Sequence, residues 1–267
     1  MAETRPKAGS RSDVAVIIPA RYQSSRFPGK PLALLGGKPL IQQVYERVRT
    51  ARGVTRVVIA TDDSRIHDTV KSFGGEAIIT PGDLRTGSDR VAAVAQVIPA
   101  AVYINLQGDE VPLSSSLLED LIRPFVASGA RVGTLKRALH HERELLDPNV
   151  VKVITNLREE ALYFSRSPIP YRRDRRQDDA MLIPGLHWKH LGIYAYTRDI
   201  LTEFAQLKTG SLEQSEQLEQ LRLLEAGISI RVWETRHASL RIDTPADLER
   251  AERILIQGEP AWQNLSS

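Results

Sequence analysis

Three cationic side chains follow a short apolar segment near the start of this 267-residue sequence. The apolar residues 14–18 predict a buried strand that ends at Pro19. The cations that come after it are Arg21, Arg26 and Lys30. Ligands of open α/β sheets bind at the carboxyl ends of the strands, and a polyphosphate there needs several cations. Each cation alone is explained equally well as solvated surface charge, but the three together indicate a polyphosphate-binding loop.

Two carboxylates in the sequence are candidate ligands for a metal ion. Asp109 comes directly after the apolar residues 102–106, and Asp243 comes just before a helix that is predicted to begin near Thr244. Strand ends meet at one edge of a sheet, so carboxylates that are distant in sequence can converge there and bind Mg²⁺ beside a phosphate. The residues alone leave open that Asp109 is a turn residue and that Asp243 only stabilises a helix N-terminus.

Apolar strands and amphipathic helices alternate in the first half of the sequence. Strands are predicted over residues 14–18, 56–60, 77–79 and 102–106. Helices are predicted within residues 40–48, 63–73 and 86–98, where the apolar residues recur at helical spacing. Repeated βα units predict a mostly parallel sheet with right-handed crossovers.

The second half is less regular. Short strand-like segments cover residues 132–139, 150–155, 162–165, 191–196 and 229–233. Helices are predicted over residues 117–126 and 212–226, and after Thr244-Pro245, where a capping residue precedes a first-turn proline. Residues 171–180 carry charges of both signs without apolar anchors, so we expect them to form a mobile loop.

Composition excludes several classes of protein. The sequence has no cysteine, so disulfides, thiolate metal sites and cysteine nucleophiles are ruled out. Its formal net charge is only +3 and no basic helix stands out, which does not favour a nucleic-acid partner. There is no apolar segment long enough for a membrane span and no signal peptide is apparent, so we expect a cytoplasmic protein.

The cationic loop carries a resemblance to a known family. It reads PARYQSSRFPGKPL over residues 19–32, and it resembles the signature loop of sugar-activating cytidylyltransferases, in particular the 3-deoxy-manno-octulosonate (Kdo) cytidylyltransferase family. The resemblance extends to TGSDR (86–90), QGDE (107–110), LYFSR (162–166), HLGIYAY (190–196), LEQSEQLEQLR (212–222) and IDTPADLE (242–249). Two segments depart from the family's pattern: Val111 stands between QGDE and Pro112, and ASLR replaces a glycine-rich segment at residues 238–241.

The resemblance implies a fold and a set of site residues. The fold is an α/β, mostly parallel Rossmann-like sheet flanked by helices, of the nucleotide-diphospho-sugar transferase type, with a small irregular β-rich part. Mg²⁺ is implied at Asp109 and Asp243, which together with Arg21 and Lys30 form the implied catalytic set. Nucleotide contacts are implied for Ala20, Arg21, Arg26, Lys30, Thr86, Gly87, Ser88 and Gln107. Sugar contacts are implied for Gln107, Arg166, His190, Tyr194, Glu219 and Gln220.

The implied activity is Mg²⁺-dependent cytidylyl transfer from CTP to the anomeric hydroxyl of Kdo, giving CMP-Kdo and pyrophosphate for lipopolysaccharide synthesis. One alternative is the same transfer to a related acidic sugar, either 8-amino-Kdo or N-acetylneuraminate. Another is a nucleotide-sugar glycosyltransferase that uses the acidic pair Asp62-Asp63, and a third is a nucleotide sensor without turnover. Release of pyrophosphate distinguishes the cytidylyltransferase from the last two.

The resemblance also implies a domain organisation and a partner. Residues 13–250 are expected to form a single α/β nucleotidyltransferase domain, in which roughly residues 150–200 are a sugar-side and dimerisation insertion. Residues 1–12 are expected to be a disordered tail, and residues 251–267 the end of the last helix and a tail. We expect a homodimer formed through the irregular half, by the HLGIYAY segment and the apolar helix after it.

Overall fold

The computed structural model describes residues 13–24, 26–84, 86–173 and 180–257. The expectations for residues 1–12, for the middle of the 171–180 loop and for residues 258–267 lie outside these ranges.

The strands are β1 (Val14–Ala20), β2 (Leu34–Leu35), β3 (Lys38–Pro39), β4 (Arg56–Thr61), β5 (Ala77–Ile79), β6 (Val102–Asn105), β7 (Glu110–Pro112), β8 (Val132–Ala138), β9 (Lys152–Thr155), β10 (Ala161–Ser165), β11 (Trp188–Thr197), β12 (Arg231–Glu234) and β13 (Ser239–Arg241). The helices are α1 (Leu40–Arg49), α2 (Ser64–Ser72), α3 (Gly87–Val97), α4 (Ser116–Ser128), α5 (Glu142–Leu146), α6 (Arg198–Phe204), α7 (Ser211–Glu216), α8 (Leu221–Glu225) and α9 (Pro245–Gln257), with a short 3₁₀ helix at Lys30–Leu32.

The central sheet has the strand order β10-β9-β11-β6-β1-β4-β5, and β8 pairs with both β11 and β12. The strands β6, β1, β4 and β5 are parallel. By contrast, β11 is antiparallel to β6, β8 and β9. The predicted α/β fold with a parallel sheet is confirmed, and β11 marks the change from the parallel to the antiparallel half.

The first strand lies in the middle of the parallel half, and all seven of its residues are buried. Because successive side chains point to opposite faces of a strand, Val14, Val16 and Ile18 pack in one core with α1 and α4. Ala15 and Ile17 pack in a second core with α3 and α6. This two-sided burial explains the uninterrupted apolar segment in the sequence.

The predicted strand end at Pro19 is wrong by one residue, since β1 continues to Ala20. Pro19 has no N–H, but its carbonyl accepts a hydrogen bond from the backbone N–H of Gly108 at 3.2 Å. Two predicted helix starts are confirmed. The Asp63 side chain caps α2, and Thr86 forms a capping box with Asp89 at the start of α3.

The single helix predicted over residues 212–226 is wrong. The structure has two short helices, α7 and α8, because Gln217 between them adopts a left-handed conformation with φ of 53°. Arg222 on α8 turns back to Glu213 on α7, with Nη2 2.6 Å from Oε1. Apolar periodicity continues through both helices, so the sequence pattern does not reveal the break.

β7 and β13 form a separate two-stranded antiparallel sheet that the sequence does not predict, since its last predicted strand is 229–233. Its two strands contain both departures from the family's pattern, Val111-Pro112 and residues 239–241. Directly beyond it, the N–H of Ile242 donates to the carbonyl of Asp109 at 3.0 Å. The pairing therefore brings the 107–110 and 242–249 segments together. Among the helices of the described residues, none has the length and apolar character needed to cross a membrane.

Candidate active site

A cavity of about 570 Å³ opens where β6 ends and where β11 and α3 begin. Most of the site residues that the sequence predicts line this cavity. They are Arg26, Thr86, Gly87, Gln107, Asp109, Arg166, His190, Tyr194, Glu219, Gln220 and Asp243. Residues from seven separate sequence segments thus meet at one edge of the sheet.

Lys30 lies between the two carboxylates that the sequence nominates for metal binding. Its Nζ is 2.6 Å from Oδ2 of Asp109 and 3.5 Å from Oδ1 of Asp243. It also donates to the carbonyl of Ile242 at 2.8 Å, and the side chain is buried. The two carboxylates therefore converge on a single cationic position.

The carboxylate of Asp243 does not cap α9, which was one alternative for this residue. The side chain of Asp247 accepts the backbone N–H groups of Asp243 and Thr244 at 3.0 and 2.8 Å. The carboxylate of Asp243 instead lies 3.4 Å from Arg26 and 3.0 Å from Arg241. It is therefore free of the helix terminus and contacts only cations there.

These carboxylates fit a magnesium ion. Both are hard oxygen ligands, and the ammonium of Lys30 shows that the space between them accepts positive charge. Across the described ranges, no group of three or more His, Asp or Glu side chains is arranged to hold a metal. A pair of carboxylates suits Mg²⁺, which is commonly held by one or two carboxylates together with the phosphates of a substrate.

Two glycines allow the chain to approach the cavity closely. A Cβ atom on Gly108 would lie 2.9 Å from the carbonyl oxygen of Pro19, which is too close for any other residue. A Cβ atom on Gly87 would lie 2.6 Å from Nε2 of Gln107. The sequence Gln107-Gly108-Asp109 therefore packs against the end of β1, and the start of α3 packs against Gln107.

A chain of side-chain hydrogen bonds forms the floor of the cavity. Gln107 donates to Asn105 at 3.1 Å, Asn105 donates to Ser88 at 3.2 Å, and Ser88 donates to Oε1 of Glu219 at 3.0 Å. Burial raises the pKa of Glu219. Its Oε2 is buried and, within the described part of the chain, has no hydrogen-bond partner. A buried acceptor of this kind suits a ligand hydroxyl.

Aromatic side chains form a second wall. The ring of His190 packs edge-on against Phe164 with centroids 4.8 Å apart, and the centroid of Tyr194 is 5.3 Å from it. Burial lowers the pKa of His190 to about 3, so the imidazole is neutral at physiological pH. Burial also raises the pKa of Tyr194, whose buried hydroxyl lacks a partner among the described residues.

The tautomer of His190 follows from its contact with Thr134. The hydroxyl of Thr134 lies 2.8 Å from the carbonyl of Ile193 and 2.9 Å from Nε2 of His190. Because the hydroxyl has one proton and that proton goes to the carbonyl, its oxygen accepts from an Nε2–H. This assigns Nδ1 of His190 as the acceptor nitrogen.

Four predicted residues lie outside the lining of the cavity. Lys30 and Ser88 stand directly behind it, through their contacts with Asp109 and Glu219. Arg21 is exposed and donates to the carbonyl of Leu84. Ala20 is the last residue of β1 and contributes backbone only at the loop.

The acidic pair that would serve a glycosyltransferase is committed to other contacts. Asp62 pairs with the fully buried Arg90 at 2.9 Å. Asp63 accepts the backbone N–H of Arg65 at 2.9 Å and pairs with its guanidinium at 2.6 Å. This geometry gives no support to the glycosyltransferase alternative.

Four charged residues of the cavity were missed by sequence reasoning: Glu110, Arg137, Lys189 and Arg241. Glu110 and Arg241 pair across β7 and β13, so a prediction of that small sheet would have found them. Arg137 and Lys189 face each other across β8 and β11. The sequence contains no local signal for that long-range pairing.

The fold and the charges at its sheet edge place this protein among the nucleotidyltransferases. A family model described as Cytidylyltransferase matches residues 15–230. A 3-deoxy-manno-octulosonate cytidylyltransferase from Geobacter sulfurreducens is 49% identical over 243 residues, covering 89% of this chain and 97% of that protein. A protein of the same name from Escherichia coli is 45% identical over 247 residues, covering 92% of this chain and 97% of that protein. This chain belongs to the 3-deoxy-manno-octulosonate cytidylyltransferase family.

Solved structures agree with this assignment. The structure of CMP:2-keto-3-deoxy-manno-octonic acid synthetase complexed with CTP is 46% identical, with a TM-score of 0.85 over 92% of this chain and 99% of that chain. The inositol-1-phosphate CTP transferase from T. maritima has a TM-score of 0.62 at 15% identity, over 91% of this chain and 95% of that chain. The second similarity concerns the fold alone.

Proposed function

We propose that this protein transfers the cytidylyl group of CTP to the anomeric hydroxyl of Kdo, giving CMP-Kdo and pyrophosphate for lipopolysaccharide synthesis. The observation that carries the proposal is the convergence of Asp109 and Asp243 on one cationic position, 2.6 and 3.5 Å from Nζ of Lys30. That position borders a cavity with a neutral polar wall. Negative phosphates and a hydroxylated sugar acid thus have separate places in one site.

The nucleotide is assigned to the parallel half of the sheet. Arg21 and Arg26 have exposed side chains at the end of β1, within reach of a triphosphate. Thr86 and Gly87 begin α3; the capping box uses the N–H groups of Thr86 and Asp89, so a phosphate or another anion is left with the N–H groups of Gly87 and Ser88. Ser88 and Gln107 complete this side through the hydrogen bonds that fix the floor of the cavity.

The sugar acid is assigned to the antiparallel half. Arg166 supplies a cation for its carboxylate, while neutral His190, Tyr194 and Gln220 and the buried carboxyl group of Glu219 suit hydroxyl groups. Nδ1 of His190 and Oε2 of Glu219 are acceptors, and the hydroxyl of Tyr194 is a donor. A site built to hydrogen-bond hydroxyls discriminates strongly against sugars that lack them.

The reaction needs positioning and charge stabilisation rather than a nucleophilic side chain. The anomeric hydroxyl oxygen bonds to the α-phosphorus of CTP, the bond from that phosphorus to the oxygen of the β-phosphate breaks, and pyrophosphate leaves as the hydroxyl proton is released. Arg21, Arg26 and Lys30 stabilise charge on the phosphates. Mg²⁺ held by Asp109 and Asp243 would supply a Lewis acid for the phosphate and hydroxyl oxygens.

The proposal is tested by pyrophosphate release from CTP and Mg²⁺ with Kdo, 8-amino-Kdo or N-acetylneuraminate in parallel, with mass spectrometry of the product. We expect the highest kcat/KM with Kdo and a product with the mass of CMP-Kdo. Turnover with N-acetylneuraminate but not with Kdo would refute the proposed substrate. A glycosyltransferase would release nucleotide without pyrophosphate, and a nucleotide sensor would bind CTP and release nothing.

We also propose a homodimer, but through a different surface from the HLGIYAY segment that the sequence suggests. The HLGIYAY segment lies within β11, in the interior of the sheet, and its Ile193 and Ala195 are fully buried. Its exposed residue, Gly192, lines the cavity, so the segment offers little surface to a partner. In the same half, β10 ends the strand order and exposes 58% of Leu162, and nearby Tyr171 is 87% exposed. A second copy of the chain across this edge would cover both. The use of CTP as substrate supports a cytoplasmic location.

A further inference from the structure

A lysine is completely buried behind the sugar side of the cavity. Lys152 on β9 has no exposed surface, and its ammonium donates to backbone carbonyls rather than to carboxylates. The acceptors are the carbonyls of Asp147 at 2.9 Å, Val150 at 2.6 Å and Arg166. An ammonium has three N–H donors, so the three carbonyls use all of them.

A buried ammonium that hydrogen-bonds to carbonyls and not to a carboxylate is uncommon in the interior of a sheet, because its charge is not neutralised. Removing a charge from water is unfavourable, and burial lowers the pKa of Lys152 accordingly. An apolar residue would fill the same position without this cost. The three hydrogen bonds offset it, and they show what the lysine holds together.

The carbonyls belong to two separate segments that both line the cavity. One segment contains Asn149, Val150 and Val151, and the other contributes Arg166. Lys152 itself is not part of the lining. Its ammonium therefore joins two parts of the cavity wall from behind.

Arg166 closes the same network from the other side. Its Nη1 donates to the carbonyl of Pro148 at 2.9 Å, and its Nε donates to the carbonyl of Glu216 at 2.7 Å. The carboxylate of Glu216 in turn accepts the N–H of Arg166 at 2.9 Å and the hydroxyl of Ser165 at 2.6 Å. The guanidinium of Arg166 is thus tied to the 147–151 segment, which is held from behind by Lys152 and from β11 by the N–H of His190, a donor to the carbonyl of Val151 at 2.8 Å.

We propose that Lys152 is a positioning residue for the sugar acid: it sets the spacing between Arg166 and the 149–151 segment without touching the substrate. This inference rests on the proposed function, in which Arg166 takes the carboxylate of the sugar. It predicts a role restricted to the sugar side, because the cationic loop and the start of α3 lie in the parallel half of the sheet.

The test compares Lys152→Met with Lys136→Met. Lys136 is the matched control, since it is also buried, at 7% exposure, and lies on β8, which pairs with β11 as β9 does. Its Nζ contacts Thr155 at 3.1 Å and the ring of Trp188 at 4.7 Å, and it does not line the cavity. Both variants lose a buried ammonium, so a general loss of stability lowers the melting temperature of both.

For Lys152→Met we expect the KM for Kdo to rise about tenfold or more, the scale of a lost hydrogen bond to a charged group, while the KM for CTP stays within about twofold. For Lys136→Met neither KM should change by more than about twofold. Lys152→Gln keeps two donors and should give an intermediate KM for Kdo, and it provides the test if Lys152→Met does not fold. Equal rises of both KM values, or an unchanged KM for Kdo, would overturn the proposal.

Hydrogen exchange of the substrate-free protein tests the positioning role of Lys152 independently of which sugar is the substrate. In Lys152→Met, amides of residues 147–151 and 165–167 should exchange faster than in wild type, and in Lys136→Met they should not. Unchanged exchange there would overturn the positioning role whichever sugar is used. If wild type does not turn over Kdo but this exchange difference is observed, the proposed substrate fails and the positioning of Arg166 stands.

Discussion

Replacing Lys30 by methionine should make the proposed metal site at Asp109 and Asp243 bind a divalent cation more tightly in the absence of nucleotide. The ammonium of Lys30 is 2.6 Å from Asp109 and 3.5 Å from Asp243, so a metal ion that uses both carboxylates must displace it. Lys30→Met removes this competitor and keeps a side chain of similar length. A hydrogen bond between charged groups contributes about 1.5–3 kcal/mol. Because 1.4 kcal/mol corresponds to a factor of ten, the affinity should rise about 10–150-fold.

The assay is a titration of the nucleotide-free protein with Mn²⁺, followed by the electron paramagnetic resonance signal of the free ion. Lys38→Met is the control, because Lys38 forms an exposed ion pair with Glu46 at 2.6 Å, and its loss should leave Mn²⁺ binding unchanged. Lys30→Met should also melt at a lower temperature than wild type without metal and gain more from added Mn²⁺. An Mn²⁺ affinity equal to that of wild type would refute the reasoning, because the carboxylates would then bind the metal without displacing the lysine.

Three further predictions concern the carboxylates, the imidazole and the sheet edge. Asp109→Ala and Asp243→Ala should each remove several kcal/mol of transition-state stabilisation. Because each single variant loses the same ion, the double variant should release pyrophosphate little more slowly than either single variant, whereas multiplicative losses would contradict a shared site. The folded-state pKa of His190 is about 3, below the unfolded value of about 6.5, so its contribution to stability is complete above pH 6.5 and is lost as the pH falls towards 3. Between pH 7 and pH 5 the free energy of unfolding, measured by denaturant titration, should fall by about 1–2 kcal/mol in the wild type, and this fall should be absent from His190→Gln. The same pH dependence of the unfolding free energy in both proteins would show that the imidazole titrates normally. Leu162→Lys should convert a dimer to a monomer in sedimentation experiments, whereas Val97→Lys, at a 67% exposed position on α3, should not; a dimer that survives Leu162→Lys would place the interface elsewhere.

Local sequence patterns predict the parallel half of the fold well because its elements are determined by short-range physics. The strand β1 is buried on both faces, which demands a continuous apolar segment of the kind the sequence has. The starts of α2 and α3 are marked by Asp63 and Thr86, whose side chains satisfy nearby backbone N–H groups. At both helix starts, the N–H group that the capping side chain binds lies two or three positions further along the chain.

The elements that were missed depend on specific side-chain and strand-pairing contacts that local patterns do not reveal. The break between α7 and α8 is tied to the ion pair between Glu213 and Arg222, and an amphipathic pattern is the same with or without a turn. The strands β7 and β13 are each three residues long and exist because they pair with each other. The pairing of β7 with β13 shapes the surroundings of Asp109 and Asp243. The family motifs identify these two carboxylates, but the local sequence pattern does not predict the strand pairing that brings them together.

The direction of β11 explains how the parallel and the antiparallel halves of the sheet both contribute side chains to one cavity. Because β11 is antiparallel to β6, with Tyr194 opposite Asn105, its first residues extend beyond the end of β6 at the same edge where β1 ends. A parallel strand at this position would bring its carboxyl end there, in the way that β1 brings the cationic loop. Instead, His190 and Tyr194, four residues apart on β11, both line the cavity in neutral form. The change of strand direction thus brings neutral hydrogen-bonding groups, together with the cations Arg137 and Lys189, to the edge of the sheet where the ionic loop lies, as a hydroxylated sugar acid beside a phosphate requires.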